Sequence, residues 1–161
     1  TVEQLAGVDA LVMPGGESTT MSMLLESSGL FDAVAERIDS GMPVFGTCAG
    51  LILLASSIED GRPDQRCFGR FDMTVQRNGY GRQIESFEGD LETAVFDTPV
   101  HAVFIRAPRV TRVGEGVEVL AADRHGDPVL VRAGNALAAA FHPELADDDR
   151  IHRLFVDSIA Y

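Results

Sequence analysis

Cys48 stands in Gly46-Thr47-Cys48-Ala49-Gly50, between a short apolar run at 43–45 and a longer one beginning at Leu51. Glycines two residues before and two after a nucleophile permit the tight strand-to-helix turn called a nucleophile elbow, here with cysteine at its apex. At a helix start, backbone N–H groups and the helix dipole favour thiolate over thiol, and thiolate is the form that attacks a carbonyl carbon. The sequence thus predicts a cysteine activated by its position. The competing reading is a small buried core residue, as free cysteines often are. Cys67, in Asp64-Gln65-Arg66-Cys67-Phe68, has neither the glycine pair nor the strand-to-helix setting and reads as structural.

A cysteine nucleophile needs a base, and the base needs a partner that orients it. His142, in Phe141-His142-Pro143-Glu144, ends an apolar run and has a carboxylate two residues later. In extended chain, residues i and i+2 point the same way, and Pro143 restricts the backbone between them, so Glu144 can hold the imidazole in one tautomer. His101, His125 and His152 lie in polar or helical-surface contexts and receive no role. A third element is the loop Pro14-Gly15-Gly16-Glu17-Ser18. Its glycines let backbone N–H groups approach a ligand, which suits an oxyanion hole or a carboxylate-binding turn, or simply a turn that caps a helix. It lacks the Gly-Lys pair of a phosphate-binding loop.

The elements that must position these motifs follow from apolar spacing. Residues 10–13 read as a buried strand stopped by Pro14-Gly15-Gly16. Ser18-Thr19-Thr20 can cap a helix with Met21, Leu24 and Leu25 on one face, ending at Gly29. Phe31, Val34, Ala35 and Ile38 predict a second helix up to Gly41, and 43–45 a second buried strand. The run 51–58 predicts a buried helix. Short β-like runs follow at 73–75, 102–105, 117–120, 129–131 and 137–141, separated by Gly and Asp turns. A closing helix carries Asp147 to Asp149 at its first turn and Ile151, Leu154, Phe155 and Ile159 as an apolar stripe. Alternating strands and helices of this kind predict a three-layer α/β domain with a mostly parallel sheet, and the 161 residues are expected to form one domain.

A formal net charge of −12, from 25 acidic and 13 basic residues, disfavours nucleic acid and anionic membrane as partners. A small molecule or a protein is the expected partner. Two cysteines make no disulfide framework, no secretory leader opens the chain, and no apolar run approaches the roughly 20 residues of a spanning helix, so a cytoplasmic setting is expected. Every basic residue is arginine, so this chain has no lysine to form an imine with a sugar phosphate or pyridoxal phosphate.

In this order, Pro-Gly-Gly-Glu-Ser, Gly-Thr-Cys-Ala-Gly and His-Pro-Glu resemble the class I glutamine amidotransferases. The strings Gly15 to Met21, Gly81-Arg82-Gln83-Ile84-Glu85-Ser86-Phe87, Phe104-Ile105-Arg106-Ala107-Pro108 and Phe141-His142-Pro143-Glu144-Leu145 are similar to the glutaminase subunit of pyridoxal 5′-phosphate synthase, over nearly the whole chain. The resemblance implies a flavodoxin-like fold and hydrolysis of L-glutamine to glutamate and ammonia. It makes Cys48 the nucleophile, His142 the acid–base and Glu144 its orienting partner. It places the substrate against Gly16, Glu17, Ser18, Arg77, Ile105 and Arg106, with Gly16 and Ala49 as oxyanion hole. It implies no cofactor and no metal, and a partner: a (β/α)-barrel synthase subunit, with its own lysines, that receives the ammonia in a large hetero-oligomer. Family members begin with a further strand, loop and helix, so the fold is expected to lack its first strand and helix. The alternatives are a glutaminase domain serving another synthase, a γ-glutamyl hydrolase, or a non-catalytic partner-binding subunit.

Overall fold

The computed structural model describes residues 1–77 and 86–159, so Gly81-Arg82-Gln83-Ile84-Glu85 lies outside the described residues. The chain runs α1 (Val2–Ala6), β1 (Leu11–Met13), α2 (Ser18–Ser27), α3 (Leu30–Asp39), β2 (Val44–Thr47), α4 (Ala49–Leu54), β3 (Ala55–Ile58) and β4 (Phe71–Gln76). It continues with β5 (Phe87–Leu91), β6 (Val100–Phe104), β7 (Arg109–Val113), β8 (Glu118–Ala122), β9 (Pro128–Ala133) and β10 (Ala136–Ala139). A 3₁₀ turn (Pro143–Leu145) and α5 (Arg150–Asp157) close it.

The main sheet has the order β1-β2-β10-β9-β8. β2 is parallel to both β1 and β10, whereas β9 is antiparallel to β10 and to β8. The expected α/β architecture is present, but the sheet is mixed rather than mostly parallel, with two parallel and two antiparallel pairings, the parallel ones gathered in the half that carries the three motifs. All four residues of β2 and of β10 are buried, as strands covered on both faces must be. Phe45 packs on Phe155 and His152 of α5, and α4 packs against β1, β2 and β10. A smaller sheet, β3-β4-β7, and the hairpin β5–β6 flank this body.

Two further expectations need correction. The run 51–58 is not one helix: α4 stops at Leu54, Ala55 turns to extended backbone (ψ 159°), and 55–58 pair in parallel with β4. Ser56 and Ser57 are exposed, so the second half of the run belongs to a strand at a sheet edge, which periodicity in a short apolar run cannot distinguish from a helix. The cap of α2 is Glu17, not the hydroxyl run after it: its carboxylate accepts from the N–H groups of Thr19 (3.1 Å) and Thr20 (2.7 Å). The buried face of α2 is Ser18, Thr19 and Ser22, while Leu24 is 61% exposed. α1, β5 and β7 were not foreseen; β7 alternates too little apolar character to show a strand, since only Val110 is buried.

Candidate functional site

The three motifs meet because β1, β2 and β10 are parallel neighbours whose C-terminal ends lie side by side, the position at which open α/β sheets hold ligands. Pro14 follows β1, Cys48 follows β2, and His142 follows β10 after Ala140 and Phe141. Two backbone bonds lock this edge: the Cys48 N–H donates to the Ala139 carbonyl (2.8 Å), and the His142 N–H to that of Val103 in β6 (2.8 Å).

Cys48 has φ 50° and ψ −104°. Among the described residues, Cys48 and Arg106 are the non-glycine residues with positive φ, and both line one cavity. Such backbone costs on the order of 1–3 kcal/mol and persists only where the surroundings impose it. Glycine geometry imposes it here. A Cβ on Gly46 would come 2.6 Å from the Gly50 carbonyl carbon, and one on Gly50 would come 2.1 Å from the Met13 carbonyl oxygen. The elbow therefore sits in direct backbone contact with β1. Gly15 is equally constrained: its Cβ would lie 2.4 Å from His142 Cε1 and 3.4 Å from Cys48 Cβ, so the loop passes where imidazole and cysteine converge.

His142 Nδ1 and Glu144 Oε1 are 2.7 Å apart, the pairing read from the His-x-Glu spacing. That contact leaves Nε2 as the second nitrogen for proton transfer. The Cys48 thiol is buried and donates to the Ile105 carbonyl oxygen at 3.9 Å. Burial pushes its pKa above the ordinary value, aided by the charge of Glu144, and the N–H groups of Ala49 and Gly16 and the charge of Arg106 oppose this without prevailing. Position alone thus does not lower the thiol's pKa, because burial outweighs the N–H groups of Ala49 and Gly16, and removing the proton falls to a base.

The cavity has a volume of about 410 Å³ and is lined by Gly16, Glu17, Ser18, Cys48, Ile52, Arg77, Ile105, Arg106 and His142. It brings together every residue placed against the substrate by resemblance, with Cys48 and His142. Ala49 and Glu144 stand behind this wall as neighbours of Cys48 and His142. Ile52 was missed, since nothing in a continuous apolar run marks which residue faces a cavity. Cys67 and His152 do not line the cavity; His101 pairs with Asp90 and Glu88 on the β5–β6 hairpin, and His125 bonds Arg124.

The two arginines differ. Arg77 bonds Thr19 Oγ1 (2.7 Å), Gln65 Oε1 (3.2 Å) and Glu17 Oε1 (3.1 Å), so its fork is already shared. Arg106 is exposed and pairs with no carboxylate among the described residues. The Glu17 carboxylate is held at about 2 because, against the desolvation that would raise it, the hydroxyl and N–H of Thr20 and the N–H of Thr19 stabilise its charge. Among the described residues no group of three or more His, Cys, Asp or Glu is arranged to hold a metal ion, and no helix is long and apolar enough to cross a membrane.

An elbow cysteine and a histidine hydrogen-bonded to a carboxylate thus line one cavity at the carboxyl edge of parallel strands in an α/β protein. The chain belongs to the SNO glutamine amidotransferase family, whose profile matches residues 1–161. It is 59% identical to a protein of Mycobacteroides abscessus named pyridoxal 5′-phosphate synthase subunit PdxT, over 98% of this chain and 81% of that protein. It is 56% identical to the protein of the same name from Corynebacterium jeikeium, over 96% of this chain and 79% of that one. A crystal structure of a glutamine amidotransferase, 49% identical, superposes with a TM-score of 0.91 over 99% of this chain and 83% of its own.

Proposed function

We propose that this chain is the glutaminase subunit of a pyridoxal 5′-phosphate synthase, acting as one cytoplasmic domain that hydrolyses L-glutamine and passes ammonia to a (β/α)-barrel synthase subunit. The observation that carries the reading is the convergence of Cys48 and the His142–Glu144 pair on a cavity also lined by Arg106. Family membership and relatives named as subunits of this synthase support the choice of substrate and partner.

His142 takes the proton of the Cys48 thiol, and the thiolate attacks the side-chain amide carbon of glutamine. Because burial raises the thiol's pKa, the imidazole and its orienting Glu144 are needed for this first step. The oxyanion is received by the N–H groups of Gly16 and Ala49, the two backbone groups that act on the sulfur. The C–N bond then breaks as His142 returns the proton to the leaving nitrogen, which departs as ammonia. Water, deprotonated by His142, hydrolyses the glutamyl thioester to glutamate and restores the thiol. Arg106 pairs with the substrate α-carboxylate, as a fork with no carboxylate partner among the described residues suits. Arg77, engaged by Glu17, shapes the binding wall instead.

The test is glutamate release from L-glutamine by the chain mixed with the synthase subunit, beside Cys48→Ala. Release that needs Cys48 supports the reading. Folded wild-type chain that releases none in the mixture would leave a non-catalytic partner-binding role.

A further inference from the structure

We propose that Gln65 is a positioning residue for substrate recognition: its side-chain amide makes the Ser18 hydroxyl give its proton to the cavity and holds the Arg77 guanidinium beside it. This rests on the reading of the cavity as a glutamine site.

A guanidinium only donates hydrogen bonds. Arg77 Nη1 lies 3.2 Å from one terminal atom of Gln65, so that atom is the carbonyl oxygen Oε1. The amide nitrogen Nε2 is then the atom 3.1 Å from Ser18 Oγ. The usual ambiguity between the two ends of a glutamine amide is removed by the arginine. Thr19 agrees with this polarity: its Oγ1 accepts from Arg77 Nη1 at 2.7 Å and donates to Gln65 Oε1 at 3.2 Å.

Ser18 Oγ is consequently an acceptor toward Gln65. A hydroxyl carries one proton, and among the described residues no acceptor takes that of Ser18. Glu17, the adjacent carboxylate, is occupied by the N–H groups of Thr19 and Thr20, the Thr20 hydroxyl and Arg77. Ser18 is only 3% exposed, yet it lines the cavity. A buried donor without a partner is costly, so the site is built for a ligand acceptor at this point. An amino-acid α-carboxylate, which also suits Arg106, is such an acceptor. Gln65 itself does not line the cavity; it is half-buried behind Ser18 and Arg77 and acts through them.

The test is steady-state glutamate release by the full chain in complex with the synthase subunit, comparing wild type with Gln65→Glu, Gln65→Met and Ser18→Ala. Gln65→Glu keeps the shape and the acceptor toward Arg77 but turns the donor toward Ser18 into a second acceptor, which captures the hydroxyl proton. KM for L-glutamine is expected to rise about tenfold or more, the effect of losing a hydrogen bond to a charged group, with kcat within about twofold. Ser18→Ala should raise KM similarly, and adding Gln65→Glu to it should add little, since both act on one proton. Gln65→Met, which removes the amide without adding an acceptor, should raise KM less than Gln65→Glu and serves if the charged variant folds poorly. An active complex whose KM is unchanged in these variants, or in which Ser18→Ala and Gln65→Glu multiply independently, overturns this proposal alone. A wild-type complex that releases no glutamate overturns the glutamine-site reading and this proposal with it.

Discussion

Two helices bring their first turns to the cavity, α4 behind Cys48 and α2 behind Glu17, and they are held in opposite ways. Every residue of α4 is buried, and its start is fixed by backbone against backbone at Gly46, Gly50 and Met13. The buried residues of α2 are Ser18, Thr19 and Ser22, tied by side-chain hydrogen bonds to Gln65 and by the Arg66 N–H to Ser22. Backbone packed so closely that an added Cβ at Gly46 or Gly50 would come within 2.1–2.9 Å of its neighbours leaves no room for adjustment, whereas hydrogen bonds can be weakened one at a time. The wall that carries the nucleophile is therefore all-or-none, and the wall that recognises substrate is graded.

The sharpest way to break the first wall is Gly50→Ala. The added methyl meets the Met13 carbonyl oxygen of a neighbouring strand, so neither helix nor sheet can yield. A loss of at least about 4 kcal/mol is expected, seen as insoluble or unfolded protein by circular dichroism. Cys48→Ala, which leaves the packing intact, should abolish glutamate release, by at least about 10³-fold, while the melting temperature stays near wild type. Glu144→Gln should lower kcat by roughly 10²-fold with little change in KM, because the imidazole loses its orienting carboxylate while the binding wall is untouched.

The graded wall should respond more gently. Glu17→Gln weakens the cap of α2 and its tie to Arg77, costing about 1 kcal/mol at neutral pH in denaturant titration. The folded-state pKa of Glu17, about 2, is below its ordinary 4.5, so its contribution is fully present above about pH 4.5 and lost as pH falls toward 2. The stability difference between wild type and Glu17→Gln should shrink over that window; a difference constant with pH would mean that the charge does not stabilise the cap.

The elbow and the His-x-Glu pair were legible because each is local: glycine spacing and a two-residue offset specify geometry without knowledge of the rest of the chain. The strands carrying them were legible as short apolar runs, and their parallel neighbours bring the motifs together. What was not legible depends on distant partners. Arg77 and Glu17 are 60 residues apart, and Gln65 and Ser18 are 47 apart, so no motif announces either contact. The fully buried residues of α2 are polar, and of Met21, Leu24 and Leu25, read as one apolar face, Leu24 is exposed while the other two pack partly buried on the core. The rise in the Cys48 pKa escaped the sequence for a related reason: the helix start is local and visible in sequence, but the burial that opposes it comes from the whole fold.

The central claim is that Cys48 becomes the covalent nucleophile toward glutamine through His142. Rapid acid quench of the complex with L-glutamine, followed by mass spectrometry of the peptides containing Cys48 and Cys67, tests it most directly. A γ-glutamyl thioester on Cys48, absent from Cys67 and lost in His142→Ala, is the result predicted. Glutamate release with no adduct on Cys48 at any quench time, or an adduct that forms as fast in His142→Ala, would contradict it.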